Sequence, residues 1–506
     1  MERQIRKLGL AFMILFAILF VQVAYVQVIA ADRIAAEPGN AARQIRAEYD
    51  TIRGRILAAD GTILAESVEA PEASVYRYER RYPLGELFGQ LTGYYSRVYG
   101  RAGLEQSMNP YLAGTAPELA VENLADLILG RPKEGGTIVT TLVPRLQRVA
   151  RTALGDRLGA VVALDPRTGD VLAMRSNPGY DPTPLSVGTS AEMTAAWEAL
   201  NADPEKPLLS KAIQELYLPG STFKLVTSTA ALENGYTPQT QIPNPHVLDL
   251  PTTDDDLHNF GDELCNGGSR TVSLAIAFRS SCNVPFGQVG LDLGAPKLSA
   301  QAFDWGMCPT FPPSQTGCED PAIPFALPFE NGRFPEPAYF DQRVPALAYS
   351  AVGLDNDLWN PLHLALITAG IADGGSMHAP RLVTAVRDPK GSVVAEFPSE
   401  VLARPISAQT SVQMRAMMAE VVASGTGTAA AIPGVVVAGK TGTATNGELE
   451  PPNAWFTAFA PAGPTDEPTI AVAVIVLDGG DLGNEATGGR EAAPIAKAVI
   501  EAWLGV

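Results

Sequence analysis

Ser221 and Lys224 are the only serine and lysine in the chain with the lysine three residues after the serine, in the run Leu218-Pro219-Gly220-Ser221-Thr222-Phe223-Lys224. The apolar stretch 225–232 behind them predicts a helix. Three residues along a helix put two side chains on one face, about 5–6 Å apart at Cβ. A serine hydroxyl attacks poorly until a neighbouring base takes its proton. Lys224 is the candidate base, and a helix N-terminus beside it would add N–H donors and positive potential. A free lysine titrates near about 10.4, so that role needs a fall of roughly 3 units, about 4 kcal/mol, from desolvation and a nearby like charge. Downstream, Ser281-Cys282-Asn283 offers a second hydroxyl and an amide, and Lys440-Thr441-Gly442 a second ammonium, a hydroxyl and a glycine. Ser107-Met108-Asn109 repeats the S-x-N pattern but lies upstream of the candidate nucleophile.

Taken in order, S-x-x-K, S-x-N and K-T-G resemble the signature of penicillin-binding proteins and serine β-lactamases. The flanks narrow this to class B penicillin-binding proteins, of the penicillin-binding protein A type. They are 217–227, Val437-Ala438-Gly439-Lys440-Thr441-Gly442-Thr443-Ala444, Ser350-Ala351-Val352-Gly353, and Asn453-Ala454-Trp455-Phe456. Near the front, Arg53-Gly54-Arg55-Ile56 with Asp60-Gly61 resembles the membrane-proximal segment of that family, and the likeness runs from about residue 40 to the end.

The resemblance implies acyl transfer. Ser221 would be acylated, Lys224 would take its proton, and Lys440 would supply the like charge. Ser281 would relay a proton to the leaving amine, and Asn283 would donate to a substrate amide and hold Lys224. The backbone N–H groups of Ser221 and Thr443 would form the oxyanion hole. Lys440, Thr441 and Thr443 would receive a carboxylate beside the bare backbone of Gly442. In the family that carboxylate ends a D-Ala-D-Ala stem peptide of peptidoglycan, a second stem amine resolves the acyl-enzyme, and β-lactams acylate the same serine. A D,D-carboxypeptidase, a membrane-tethered serine β-lactamase, or a scaffold that activates a membrane-embedded glycan polymerase are the alternatives.

Composition bears on the other classes. The 55 acidic residues outnumber the 37 basic ones for a net charge of −18, which argues against a nucleic-acid partner. The four histidines (His246, His258, His363 and His378) are scattered, so no metal or cofactor is expected. Residues 434–441 match the phosphate-loop pattern G-x-x-x-x-G-K-[ST], but three valines favour a strand there and no helix is predicted behind it.

Residues 8–30 form an apolar run after Arg3, Arg6 and Lys7, long enough for one membrane crossing with the rest of the chain outside. A signal peptide cut after Val28-Ile29-Ala30 is the competing reading, against which the length of the run argues. Cys265, Cys282, Cys308 and Cys318 allow three pairings in an oxidising compartment. Cys308 with Cys318 would close a proline-rich loop, Cys265 with Cys282 would tie a loop to the S-x-N segment, and free thiols remain the alternative.

Residues 1–31 are expected to be a cytoplasmic tip and anchor, and the resemblance implies a pedestal for partner contact or dimerisation at 32–140 and the transpeptidase domain at 141–506. Within the pedestal, 73–78 reads as a strand and 79–81 as a charged cluster. A hairpin at 159–176, strands at 435–445, 455–460 and 470–477, and helices at 274–278, 362–372 and 491–504 predict an α+β fold. Its core would be one antiparallel sheet flanked by helices.

Overall fold

The computed structural model describes residues 2–26, 49–72, 74–119, 134–310, 318, 323–445 and 450–506. Helix α1 (Glu2–Ala24) carries a 22-residue span from Arg3 with mean hydropathy 2.2, uncovered by the rest of the described chain. A helix of that length measures roughly 33 Å, enough for a bilayer core of about 30 Å. The end of the apolar run and the Val28–Ala30 alternative lie outside the described residues.

The pedestal contributes β1 (Ile56–Leu57), β2 (Ile63–Glu69), β3 (Tyr78–Arg81) and β4 (Thr137–Thr140). The expected strand at 73–78 is a misreading. Residues 75–77 are bends, Ala73 lies outside the described residues, and the strand is the charged run itself, opened by Tyr78. Pairing with β2 sets Glu66 opposite Arg81, and alternation along β3 then turns Tyr78 and Arg80 inward. An arginine can face inward here because Glu105 waits for it, its Oε1 2.6 Å from Arg80 Nε.

The larger part contains α2 (Pro144–Leu154), β5 (Gly159–Leu164), β6 (Val171–Asn177), α3 (Lys224–Glu233), α4 (Leu274–Arg279), α5 (Asn283–Leu293) and α6 (Pro361–Ala372). Then come β7 (Val383–Arg387), β8 (Val393–Glu396), α7 (Ala408–Ser424), β9 (Ala438–Ala444), β10 (Asn453–Ala460), β11 (Ile470–Val476) and α8 (Ala493–Leu504). The hairpin β7–β8 joins the pedestal sheet, whose order is β8-β7-β4-β1-β2-β3. That sheet therefore joins the pedestal to a hairpin from far along the chain, with Ile138 of β4 opposite Val386 of β7.

The second sheet is five-stranded and antiparallel throughout, in the order β9-β10-β11-β5-β6. Alternate residues face opposite sides. Val161 and Ala163 pack with Leu146, Leu154, Ile495 and Val499 from α2 and α8. Ala160, Val162 and Leu164 pack with Leu225 and Ile367 from α3 and α6. Both faces are thus covered, which is why β5, β10 and β11 read as nearly unbroken apolar runs. Each fully buried Val, Leu or Ile contributes about 1.5–3 kcal/mol. Helix α6 is buried at every one of its 12 residues and packs against β5, β10 and β11 of the sheet.

Candidate active site

Ser221 sits on a 3-10 turn, Gly220–Phe223, and α3 begins only at Lys224. The expected helix N-terminus is thus a tighter turn leading into the helix. Gly220 makes it possible: its φ is +52°, and a Cβ there would lie 2.4 Å from the carbonyl oxygen of Thr443. The turn is clamped from outside, since Gly220 N donates to Gly353 O at 2.9 Å and Trp455 Nε1 to Leu218 O at 3.0 Å. These contacts explain why the Ser350–Gly353 and Asn453–Phe456 stretches accompany the nucleophile segment.

Lys224 Nζ lies 3.0 Å from Ser221 Oγ, 2.7 Å from Ser281 O and 2.8 Å from Asn283 Oδ1. Lys440, in the middle of β9, places Nζ 2.8 Å from Ser281 Oγ and 2.8 Å from Thr441 O. Ser281 therefore stands between the two amines, its carbonyl on one and its hydroxyl on the other. It does so in the left-handed region, at φ +59°, in the short link between α4 and α5. Such a conformation costs a residue with a Cβ about 1–3 kcal/mol and clusters at functional sites.

Both lysine side chains are fully buried. Burial, and then the charge of Lys440, holds the Lys224 amine well below the usual lysine range. Burial alone brings Lys440 down to about 7. Aromatic rings help exclude water: Phe286 lies 5.4 Å from Lys224 Nζ and Phe278 5.6 Å from Lys440 Nζ. The strand position of Lys440 also disposes of the phosphate-loop pattern, which needs a helix at that point.

Above the lysines opens a cavity of about 440 Å³, lined by Ser221, Ser281 and Asn283 together with Thr441, Gly442 and Thr443 on the edge strand β9. Gly442 is required by its surroundings, because a Cβ would meet Thr222 Cγ2 at 2.8 Å and Thr222 N at 3.1 Å. Every expected catalytic and substrate-binding residue is therefore gathered at one cleft. The upstream pattern at Ser107-Met108-Asn109 is not part of it, and Asn109 instead accepts from Arg53 Nη1 at 2.7 Å. The four cysteines form Cys265–Cys282 and Cys308–Cys318, and the first pair ties a surface loop to the S-x-N segment.

Several residues enter the cleft without having stood out in the sequence. Thr426 brings its hydroxyl 2.6 Å from that of Thr441, and the run Ser424-Gly425-Thr426-Gly427-Thr428 was a turn signal that could have flagged it. Asn259 Oδ1 accepts from Asn283 N at 2.8 Å and Val284 N at 3.1 Å, capping the start of α5 from a distant loop. Glu263, Leu264 and Thr487 also line the cavity. No local pattern marks these three, because chain folding alone delivers them.

Comparison with known proteins agrees with this geometry. Residues 159–501 match the family described as the penicillin-binding protein transpeptidase domain. The chain belongs to that family. Residues 53–138 match the penicillin-binding protein A dimerisation domain, so this penicillin-binding protein joins the transpeptidase fold to a dimerisation-type module. It is 39% identical to the peptidoglycan D,D-transpeptidase PbpA of Mycolicibacterium smegmatis, over 100% of this chain and 99% of the relative. With PbpA of Mycobacterium tuberculosis the identity is 37%, over 100% and 99%. Among solved structures, the imipenem acyl-enzyme complex of penicillin-binding protein A from M. tuberculosis superposes with a TM-score of 0.81 at 37% identity, covering 90% of this chain and 100% of that one.

Proposed function

We infer that this chain is a peptidoglycan D,D-transpeptidase that works through an acyl-enzyme on Ser221 and is a target of β-lactams. The observation that carries the reading is the surroundings of Lys224 Nζ. Ser281 O and Asn283 Oδ1 are acceptors only, and they take both N–H bonds of a neutral amine. The remaining lone pair then faces the Ser221 hydroxyl at 3.0 Å, the arrangement a general base needs.

In the first half-reaction Ser221 Oγ loses its proton to Lys224 and attacks the carbonyl carbon between the two terminal D-alanines. The C–O ester bond forms, the C–N bond breaks, and the leaving amine takes a proton through Ser281, which is hydrogen-bonded to Lys440. In the second half an amine of another stem attacks the ester carbon. A C–N bond replaces the C–O bond, and the proton of that amine returns to Ser221. The backbone N–H groups of Ser221 and Thr443 form the oxyanion hole, supported by the close approach of the Gly220 turn to Thr443. Such donors contribute about 3–4 kcal/mol each. Lys440, Thr441 and Thr443 take the terminal carboxylate, and Asn283 keeps one amide hydrogen for the substrate, the other being donated to His258 O at 3.0 Å.

The division into tip and anchor (1–31), pedestal (32–140) and transpeptidase domain (141–506) fits this function. We propose that α1 crosses the membrane with Arg3, Arg6 and Lys7 on the cytoplasmic side, since positive residues stay inside. The catalytic part then lies outside, where its substrate polymer is. The pedestal is the surface offered to a membrane-embedded glycan polymerase.

Incubation of the purified protein with penicillin, followed by intact mass, tests the enzymatic reading. A stable single adduct on the wild type that is absent from Ser221→Ala is expected. Rapid drug hydrolysis without an adduct would make it a β-lactamase, and folded protein that neither binds nor hydrolyses the drug would leave only the scaffold role.

A further inference from the structure

One wall of the cleft is a lip made by residues 259–266, which leaves two large apolar side chains open to water and is tied down by a hydrogen-bonded asparagine and a disulfide. Phe260 is 65% exposed and Leu264 54% exposed, yet both line the same cavity as Ser221. Large apolar side chains left open to water at the mouth of a cavity are a feature of ligand-binding surfaces. The lip is held at both ends. Asn259 Nδ2 donates to Glu263 O at 3.0 Å, while its Oδ1 accepts from the backbone of Asn283 and Val284. Cys265 is bonded to Cys282, the middle residue of S-x-N. Phe260, Glu263 and Leu264 are therefore carried on the wall that also presents Asn283.

The charge on this lip is specific. Asp262 faces His258 Nδ1 at 3.0 Å and His246 Nε2 at 3.3 Å. No cation pairs with the Glu263 carboxylate among the described residues. Glu263 is thus the free anion of the cleft wall. The other wall, with Lys440, Thr441 and Thr443, suits an anion. A ligand bridging the two would carry a carboxylate at one end and a cation with an aliphatic stem further on.

We propose that Phe260, Glu263 and Leu264 form a subsite for a stem-peptide side chain that ends in a free amine. Glu263 is its specificity determinant, and Phe260 and Leu264 cover the aliphatic part. The proposal rests on the transpeptidase reading above, in which stems must carry such amines in order to be joined. The amine comes either from the donor stem or from the acceptor, and the two sources act at different steps. A donor amine bound here speeds acylation of Ser221, whereas an acceptor stem captured here by its ammonium, which loses a proton to water before moving to the ester carbon, speeds resolution of the acyl-enzyme.

The test compares wild type with Glu263→Gln on the full chain. Acylation is measured with a D-Ala-D-Ala peptide whose side-chain amine is free or acetylated. Resolution is measured on preformed acyl-enzyme with a free-amine stem peptide or with glycinamide. Wild type is expected to favour the free-amine peptide at one step by about threefold to fivefold, the range of an exposed ion pair. Glu263→Gln should abolish that preference, as should about 1 M salt. Phe260→Ser should raise KM for both peptides with little change in kcat. Penicillin acylation is followed in each of these proteins alongside, as the readout of an intact Ser221 and Lys224. A wild type that is acylated by penicillin but shows no preference at either step overturns the subsite and leaves the transpeptidase intact. Failure of penicillin to acylate the wild type would instead remove the underlying reading. Slower release of the penicilloyl group in Glu263→Gln would make Glu263 a hydrolytic base and also overturn the proposal.

Discussion

Two regions of this protein bury a pair of basic side chains around one bridging residue, and they do opposite things with it. In the pedestal, Arg53 and Arg80 meet at Glu105, with Nε to carboxylate distances of 2.5 and 2.6 Å and side chains at most 3% exposed. In the cleft, Lys224 and Lys440 meet at Ser281, which offers a carbonyl to one and a hydroxyl to the other. Burial pushes the Glu105 carboxyl up, but the charges of Arg80 and Arg53 outweigh it and hold the group below the usual carboxylate range. No carboxylate among the described residues neutralises the lysines, so burial wins and their amines fall. Arginine stays protonated in proteins, whereas lysine releases its proton when desolvated. A bridging carboxylate thus makes a fixed ionic joint, and a bridging serine makes a base.

Lys224→Met removes the base and should lower penicillin acylation by about 10²–10⁴-fold, measured by stopped-flow or mass spectrometry, with the fold retained by circular dichroism. The counterpart in the pedestal is Glu105→Ala, which strands two buried arginines. It should cost about 3–5 kcal/mol of stability, read from denaturant unfolding, while any folded fraction still binds penicillin. Because Glu105 is held below its unfolded value, its contribution is present in full above about 4.3. It is lost as pH falls through the folded value, so the mutant should also lack that part of the acid unfolding of the wild type.

A sharper test converts one arrangement into the other. Asn283→Asp would put a carboxylate where Oδ1 now stands, 2.8 Å from Lys224 Nζ. An opposite charge at that range shifts a pKa by about 1–3 units and would favour the protonated amine. Acylation should therefore fall about tenfold or more at pH 7 and recover at alkaline pH, a rescue that simple loss of geometry would not give. In the wild type, Lys440 loses its charge above about 7, so binding of a carboxylate-bearing substrate should weaken on the alkaline side of that value. The same group makes a statement about stability. Its folded value lies below its unfolded one, so between about 7 and about 10.4 the unfolded chain holds the extra proton and stability rises with pH.

The cleft was legible in the sequence to the extent that its chemistry rests on short motifs. Ser221 and Lys224 are local neighbours, and β9 carries Lys440, Thr441 and Thr443 as a continuous run, so residue type and spacing reveal them. The antiparallel sheet was legible too, since β10 and β11 are buried on both faces and announce themselves by apolar length. The pedestal is less legible. Its strand β3 is Tyr-Glu-Arg-Arg, which looks like a solvated charge cluster until Glu105, 25 residues away from Arg80, is seen to satisfy it. The same holds for β7 and β8, which complete the pedestal sheet from far along the chain. Long-range partners of polar groups leave no local trace.

Asn259 is the cleft residue that best shows this, and it carries the smallest predicted effect. Its side chain, 8% exposed, joins Asn283 N, Val284 N and Glu263 O. Asn259→Ala would leave those backbone groups to find water at the mouth of the cavity, at a cost of about 1 kcal/mol. Asn283 would still be held by Lys224 on its oxygen and His258 O on its nitrogen, and the Cys265–Cys282 bond would still retain the lip. The expected result is a drop of a few degrees in Tm and at most a fewfold slowing of penicillin acylation, both read on the same preparation. A loss as deep as that of Lys224→Met would mean that the start of α5 is set by Asn259 alone. The lysine pair would then depend on the lip for its geometry, whereas Glu105 holds its two arginines by direct contact.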